Sequence, residues 1–359
     1  MKRLIGIFIA AVLATSVSGC NREAASERNI NQNKAEEYTM ADTNESIIQL
    51  EDGLSLVSFM GEYGFDKFME QGGAASDREV IDFIKNNVIT NADISFGGNT
   101  FGCSTIAAQS ADGDKLFGRN FDWNNCEALI VKSRPTEGYS SISTVNMDFI
   151  RQGGGLSVNS LPDNIKTMAA LYAPLDGMNE KGLCIAVNMI QDSDNIEQNS
   201  DKPDITTTTA IRLILDKAAN TDEAVELLKQ YDMHGSMGMM IHFAISDSEG
   251  KSISVEYVNN ELVVTDTPVL TNFYISQGEK YGIGTDQSHE RFEILRNALA
   301  ENAAVTEEQL KNILDSVSKD NFNEFESTQW SIVYNQTKGE AKYYHRENYN
   351  KVYTFNLAE

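Results

Sequence analysis

Histidine is scarce in this chain: His234, His242, His289 and His345 are all it contains. None stands in an HxxH or HxxEH spacing and there is no CxxC, so no zinc site or other metal is signalled and no cofactor is implied. A cysteine nucleophile would also find no histidine in an evident pairing position. Cysteine itself is limited to Cys20, Cys103, Cys126 and Cys184. With Cys20 assigned to a leader, an odd number remains, which argues against a disulfide framework and leaves at least one thiol free. Basic charge is thin, with 29 Lys and Arg against 53 Asp and Glu and a formal net charge of -24. The acidic residues are scattered and no basic stripe exists to release counterions from phosphate, so nucleic acid is excluded as a partner. The charge reads instead as solubility in an extracellular setting. Long apolar runs are missing too: Leu4 to Leu13 falls short of the roughly 20 residues a spanning helix needs, and no later segment approaches that length.

That short run belongs to a targeting device. Lys2 and Arg3 make a basic start, and Val17-Ser18-Gly19-Cys20 is a small-residue cleavage site ending in cysteine. Residues 1–20 are therefore expected to be a bacterial lipoprotein signal peptide, with Cys20 carrying the lipid and the mature protein exported and tethered to a membrane through that anchor alone. Residues 21–46 are mostly Asn, Glu, Ala, Ser and Lys and read as a flexible tether, too polar to bury a core. Residues 47–102 are expected to form a helical prosegment: Ser76-Asp77-Arg78-Glu79 is a capping box followed by the apolar face Val80, Ile81, Phe83, Ile84 and Val88. Residues 103–359 are left for the main domain.

The segment Gly102-Cys103-Ser104-Thr105-Ile106 precedes the turn residues Ala111-Asp112-Gly113-Asp114 and then Gly118-Arg119-Asn120-Phe121-Asp122. This is a hairpin signature that brings Arg119 and Asp122 back beside Cys103. A lone cysteine at a strand is readily a small buried apolar residue. As a nucleophile it must act as thiolate, which needs a base or a lowered pKa nearby. Further along, residues 208–219 and 222–231 read as two amphipathic helices, 290–300 as another, and Thr306-Glu307-Glu308-Gln309 caps a last one. Strands are expected around 128–132, 140–145, 182–188, 240–246, 251–258, 263 and 270, and a final hairpin over 330–345. Periodicity leads to an α+β domain of packed sheets with helices outside.

Polar residues at the ends of apolar strands and helices complete the pattern: Asn188, Asn272 and Arg291. Together with Cys103, with Phe117-Gly118-Arg119-Asn120-Phe121-Asp122, with Asp176-Gly177-Met178-Asn179-Glu180-Lys181-Gly182-Leu183, with Leu270-Thr271-Asn272 and with Arg291-Phe292, the chain resembles the choloylglycine hydrolase family of linear-amide hydrolases. The resemblance runs in the family's order from Cys103 to Phe292. It implies a four-layer αββα N-terminal-nucleophile hydrolase fold and a self-cleavage between Gly102 and Cys103. Glycine suits that cut, since its peptide bond tolerates strain while the thiol attacks its carbonyl.

The resemblance also supplies roles. A free α-amino group, with a pKa of about 7.7 to 8.0, would serve Cys103 as general base. Asp122 would hold that amine, Arg119 would favour the thiolate, and Arg291 would orient both. Asn272 would donate its side-chain amide to the tetrahedral oxyanion, with a backbone N–H at Asn188, or one residue on at Met189, as second donor. The implied substrate is a small N-acyl amide of the conjugated bile acid, penicillin V or N-acyl amino acid or amine type. Two other readings stay open: an acyltransferase passing the same thioester to an amine, and a non-catalytic solute-binding lipoprotein, which predicts no processing beyond Cys20. The long segment ahead of Cys103 departs from bile-salt hydrolases and looks more like the acyltransferase and acid-ceramidase-like branches.

Overall fold

A computed structural model of the protein describes residues 36–38, 46–89, 94–97, 102–152, 156–157, 160–191, 193–321 and 326–357. The chain divides into Met1–Lys34 and Ala35–Glu359, and every described residue belongs to the second unit. The leader ending at Cys20 lies outside the described residues.

The hairpin around Asp112-Gly113 forms as its residue types dictate. Gly113 takes a left-handed φ of 93° that a side chain would resist. Ser110 closes the turn, its N–H donating to the Asp114 carbonyl at 2.9 Å. The flanking strands Gly102–Gln109 and Lys115–Trp123 pair in antiparallel register with Gly102 opposite Asp122, Cys103 opposite Phe121 and Thr105 opposite Arg119. They lie inside a seven-stranded sheet ordered Glu36–Tyr38, Tyr353–Asn356, Glu340–His345, Ser327–Asn335, Lys115–Trp123, Gly102–Gln109 and Val269–Leu270. A nine-stranded sheet runs Glu261–Asp266, Ser252–Val258, Ile241–Ser246, Cys184–Met189, Asp176–Asn179, Ser141–Asn146, Ala128–Arg134, Leu54–Met60 and Ile48–Glu51.

Helices Asp286–Glu301 and Glu307–Asp315 cover the first sheet, while Asp163–Leu171, Thr207–Lys217 and Thr221–Leu228 cover the second. The architecture is thus the expected four layers, helix on sheet on sheet on helix. Each helix is set by its own sequence. Thr306 and Gln309 satisfy each other's backbone N–H at 2.9 and 3.1 Å, closing a capping box, and Leu310 and Leu314 then fall on the face that meets Ile106, Leu116 and Val333. Between the sheets sit Phe117, Phe121, Trp330, Ile332 and Tyr334.

The segment 47–102 is not only helical. Its Ser76-capped helix Asp77–Phe83 is present, and Phe65–Glu70 is a second helix, but it opens with strands Ile48–Glu51 and Leu54–Met60. The latter runs parallel to Ala128–Arg134 through seven paired positions. The two-residue alternation Leu54-Ser55-Leu56 carried that signal, but its partner lies more than seventy positions away, and parallel pairing has no local turn to announce it. Within the presumed tether, Glu36–Tyr38 pairs in parallel with Tyr353, Thr354 and Phe355. An open sheet edge offers backbone donors and acceptors that ask nothing of side-chain polarity.

Candidate active site

Strand geometry separates residues that sequence spacing had put side by side. Cys103, Thr105, Arg119 and Phe121 are directly opposed in register and so share one face of the sheet, whereas Gly102, Ser104, Asn120 and Asp122 share the other. Arg119 accordingly points between the sheets and Asp122 toward the helices. The two flank Cys103 from opposite sides rather than standing together.

On the inner face, Arg119 is fully buried and hydrogen-bonded across the sandwich. Its Nε donates to Asp176 Oδ2 at 3.2 Å and one Nη to Asn188 Oδ1 at 2.8 Å. Asp176 also accepts Trp330 Nε1 at 2.9 Å and Tyr334 Oη at 3.4 Å, so its charge is held by three donors from the facing sheet. The Arg119 charge favours the Cys103 thiolate, and its second Nη is buried with no hydrogen-bond partner among the described residues. Asn188 uses its other end on the Leu270 and Thr271 carbonyls at 3.2 and 3.1 Å, tying its strand to the one that carries Asn272.

On the outer face, Arg291 gathers the remaining groups. Helix Asp286–Glu301 starts from the Thr285 cap, which places Arg291 in its second turn rather than at its opening. Its guanidinium donates to the Cys103 carbonyl at 2.7 Å, Ser104 Oγ at 2.6 Å, Asn272 Oδ1 at 2.7 Å and Asp122 Oδ2 at 3.3 Å. Asp122 Oδ1 accepts Thr328 Oγ1 at 2.7 Å. The Cys103 backbone N–H donates to Asn272 Oδ1 at 2.9 Å, and Asn272 Nδ2 donates to the Met189 carbonyl at 2.7 Å. The amide read as an oxyanion donor is therefore engaged in the uncut chain. So is the nitrogen that cleavage would free.

All six sequence-selected residues, Cys103, Arg119, Asp122, Asn188, Asn272 and Arg291, thus meet in one buried network, with Gly102 beside it. Sequence reasoning passed over Thr328, Lys319 and Glu326, which bring no motif, and His242, which was noted only for lacking metal spacing. His242 sits opposite Asn188 in the neighbouring strand. Its Nδ1 faces Glu256 Oε1 at 3.0 Å and its Nε2 faces the Thr271 carbonyl at 2.9 Å. Glu256 also accepts the Ile275 and Ser276 N–H groups at 2.8 Å. These bonds and the His242 charge outweigh burial and hold the Glu256 carboxyl below its ordinary pKa.

The thiol is closed and neutral here. Burial pushes the Cys103 pKa up to about 12, with Asp122 adding to the rise, and the Arg119 and Arg291 charges only partly offset them. A small cavity of about 10 Å³ is lined by Phe149 and Met237, along with Asp77, Phe96, Ala173 and Leu175. Phe149 in turn packs edge-on against Trp123 at 4.8 Å, next to Asp122 in the site strand. A cavity of about 700 Å³ lies apart from the network, between Ser76–Arg78 and the 195–199 and 234–238 segments.

Comparison with known proteins adds the chain's relatives. The sequence profile of the linear amide C-N hydrolases, choloylglycine hydrolase family, matches residues 103–277, beginning on Cys103 itself. A bile salt hydrolase/transferase of Clostridium perfringens is 29% identical over 183 residues, 47% of this chain and 53% of that protein. A penicillin V acylase of Pectobacterium atrosepticum is 30% identical over 131 residues, 33% of this chain and 34% of the relative. The chain thus spans about half or less of the length of the relatives it matches in sequence. Crystal structures of conjugated bile acid hydrolase from Clostridium perfringens and penicillin V acylase from Agrobacterium tumefaciens superpose with TM-scores of 0.53 and 0.51 at 21% and 17% identity. Each covers 72% of this chain, and 94% and 87% of the respective structure. The likeness establishes the N-terminal-nucleophile hydrolase fold. Residues 103–277, just under half of the chain, match the choloylglycine hydrolase family of linear amide C-N hydrolases.

Proposed function

We propose that this chain is a self-processing cysteine amidase that hydrolyses the linear C–N amide bond of an N-acyl compound. The observation that carries the reading is the Cys103 backbone nitrogen, buried and hydrogen-bonded to Asn272, with Arg119 on one side of its residue and Asp122 and Arg291 on the other. A thiol pushed up to about 12 has no strong base beside it, so the uncut form is latent.

Cleavage changes that balance. The Cys103 sulfur attacks the Gly102 carbonyl carbon, the bond to the Cys103 nitrogen breaks, and that nitrogen takes up a proton. Water then hydrolyses the thioester, leaving a Gly102 carboxylate and a free thiol. The new α-amine, with an ordinary pKa of about 7.7 to 8.0, accepts the thiol proton in each later turnover. Substrate acyl transfer to sulfur releases the amine product, and water completes the hydrolysis. Asn272 Nδ2 turns from the Met189 carbonyl to the oxyanion in both steps, with a backbone N–H at Asn188 or Met189 as the second donor.

The Clostridium relative is named a hydrolase/transferase, and a thioester at Cys103 accepts either an amine or water without any change of site residues. Product analysis with and without added glycine or taurine separates the two outcomes. Export and lipid anchoring through Cys20 complete the proposal. Intact mass of the wild type against Cys103→Ala tests it: a wild type cut only at the leader would favour a solute-binding lipoprotein and end the amidase reading. The substrate class is then read from a panel of N-acyl amides with mass-spectrometric detection.

A further inference from the structure

Gly102 is boxed in by charge. A Cβ added to it would collide with Glu326 Oε1, lie 2.8 Å from Lys319 Nζ and lie 3.1 Å from Asp122 Oδ2. Lys319 is itself buried, and its Nζ pairs with Glu326 Oε2 at 2.7 Å and stands 3.8 Å from Asp122 Oδ2. Glu326 Oε1 is buried with no hydrogen-bond partner among the described residues. A buried carboxylate oxygen left unpaired is costly, and such groups persist where they serve something other than stability. The pair is also rigidly placed. The Lys319 N–H donates to Thr328 Oγ1 at 2.8 Å, the Thr328 N–H donates to the Lys319 carbonyl at 2.9 Å, and the same Thr328 hydroxyl donates to Asp122. Register puts Gly102 opposite Asp122, on the face turned away from the thiol.

We propose that Lys319 and Glu326 are positioning residues for self-cleavage: their ion pair closes over the Gly102 α-carbon, where any side chain would have to displace it, and holds the scissile peptide against the Cys103 sulfur on the opposite face. This rests on the reading that the chain cuts itself at Gly102–Cys103. It explains the glycine by lack of room rather than by backbone freedom, since Gly102 is not among the glycines with a left-handed φ. The pair lies on the side of the strand away from the sulfur, so it takes no proton from the thiol. It restrains the carbonyl that the thiol must reach.

The test uses the full chain and follows cleavage by intact mass, with thermal melting as the check on folding. Lys319→Met and Glu326→Gln should each slow cleavage by about ten- to a hundredfold, the worth of one hydrogen bond to a charged group, without lowering the melting temperature in proportion. Gly102→Ala should block cleavage. Gly102→Ala combined with Glu326→Ala should cut faster than Gly102→Ala alone, because the second change opens the space the first one needs. A purely structural pair would give no such rescue. Wild-type cleavage in Lys319→Met and Glu326→Gln, or no rescue in the double variant, overturns the inference while leaving self-cleavage intact. A wild type that is never cut overturns the underlying reading instead.

Discussion

Cleavage at Gly102–Cys103 should yield a two-chain protein rather than shed the upstream segment, and Phe68 is the residue on which to measure this. The segment supplies strand Leu54–Met60, paired at seven positions with Ala128–Arg134 on the far side of the cut. Phe68 is fully buried and meets Tyr172 edge-on at a ring-centroid distance of 5.8 Å, across the future chain break, and Phe83 at 5.1 Å within the segment. Truncating such a side chain costs about 3–5 kcal/mol, since a cavity is left where the ring packed. At roughly 1.4 kcal/mol per decade, Phe68→Ala should weaken the hold of the cleaved segment by about two to three and a half orders of magnitude. The assay is size exclusion of the cleaved protein over a urea series, with each fraction identified by mass. Wild-type fragments should co-elute in buffer and separate only in denaturant, and Phe68→Ala should separate at clearly lower urea. If residues 103–359 elute alone from native buffer, the upstream strand is not holding and the packing argument is wrong.

Three further outcomes follow from the site. Asn272→Ala should lower kcat on an N-acyl amide by about 10²–10³-fold, the usual worth of one oxyanion donor, and an unchanged kcat would remove it from that role. Glu256→Leu should cost at least about 1–3 kcal/mol in urea unfolding, because the Ile275 and Ser276 N–H groups and the facing His242 ring lose their acceptor, and an unchanged unfolding midpoint would refute this. The uncut chain should lose stability as pH rises from about 9 toward 12, because the unfolded thiol ionises from its ordinary value of 9.0 while the folded one resists to about 12. Cys103→Ala should show a shallower loss, because the buried Cys126 and Cys184 thiols, also raised above 9.0, keep the rest of it, and an identical pH slope in the two proteins would refute this.

Much of this was visible in one dimension because it is local. The Ser76 and Thr306 caps, the turn at Asp112-Gly113 and the apolar faces of the helices depend on neighbours a few positions apart, and each formed as its residue types require. The order of the polar markers from Cys103 to Arg291 pointed to the family, because a buried catalytic network constrains residue types even where the surrounding chain varies. The Leu54–Met60 strand was missed because its partner is remote and parallel. Asp176 appeared only within a motif, since nothing in its neighbourhood says that it will face Arg119 across two sheets.

The sequence by itself determined which residues could do chemistry here: a cysteine without a histidine, preceded by a glycine and accompanied by arginine, aspartate and asparagine. Tertiary structure decided how they are divided. Strand alternation set Arg119 and the thiol on one face and Asp122 with Gly102 on the other; helix Asp286–Glu301 then brought Arg291 onto the second face, and Lys319 and Glu326 reach it from the chain ahead of strand Ser327–Asn335. A period of two is fixed by the backbone, but which layer waits on each side is fixed only when the sheets pack.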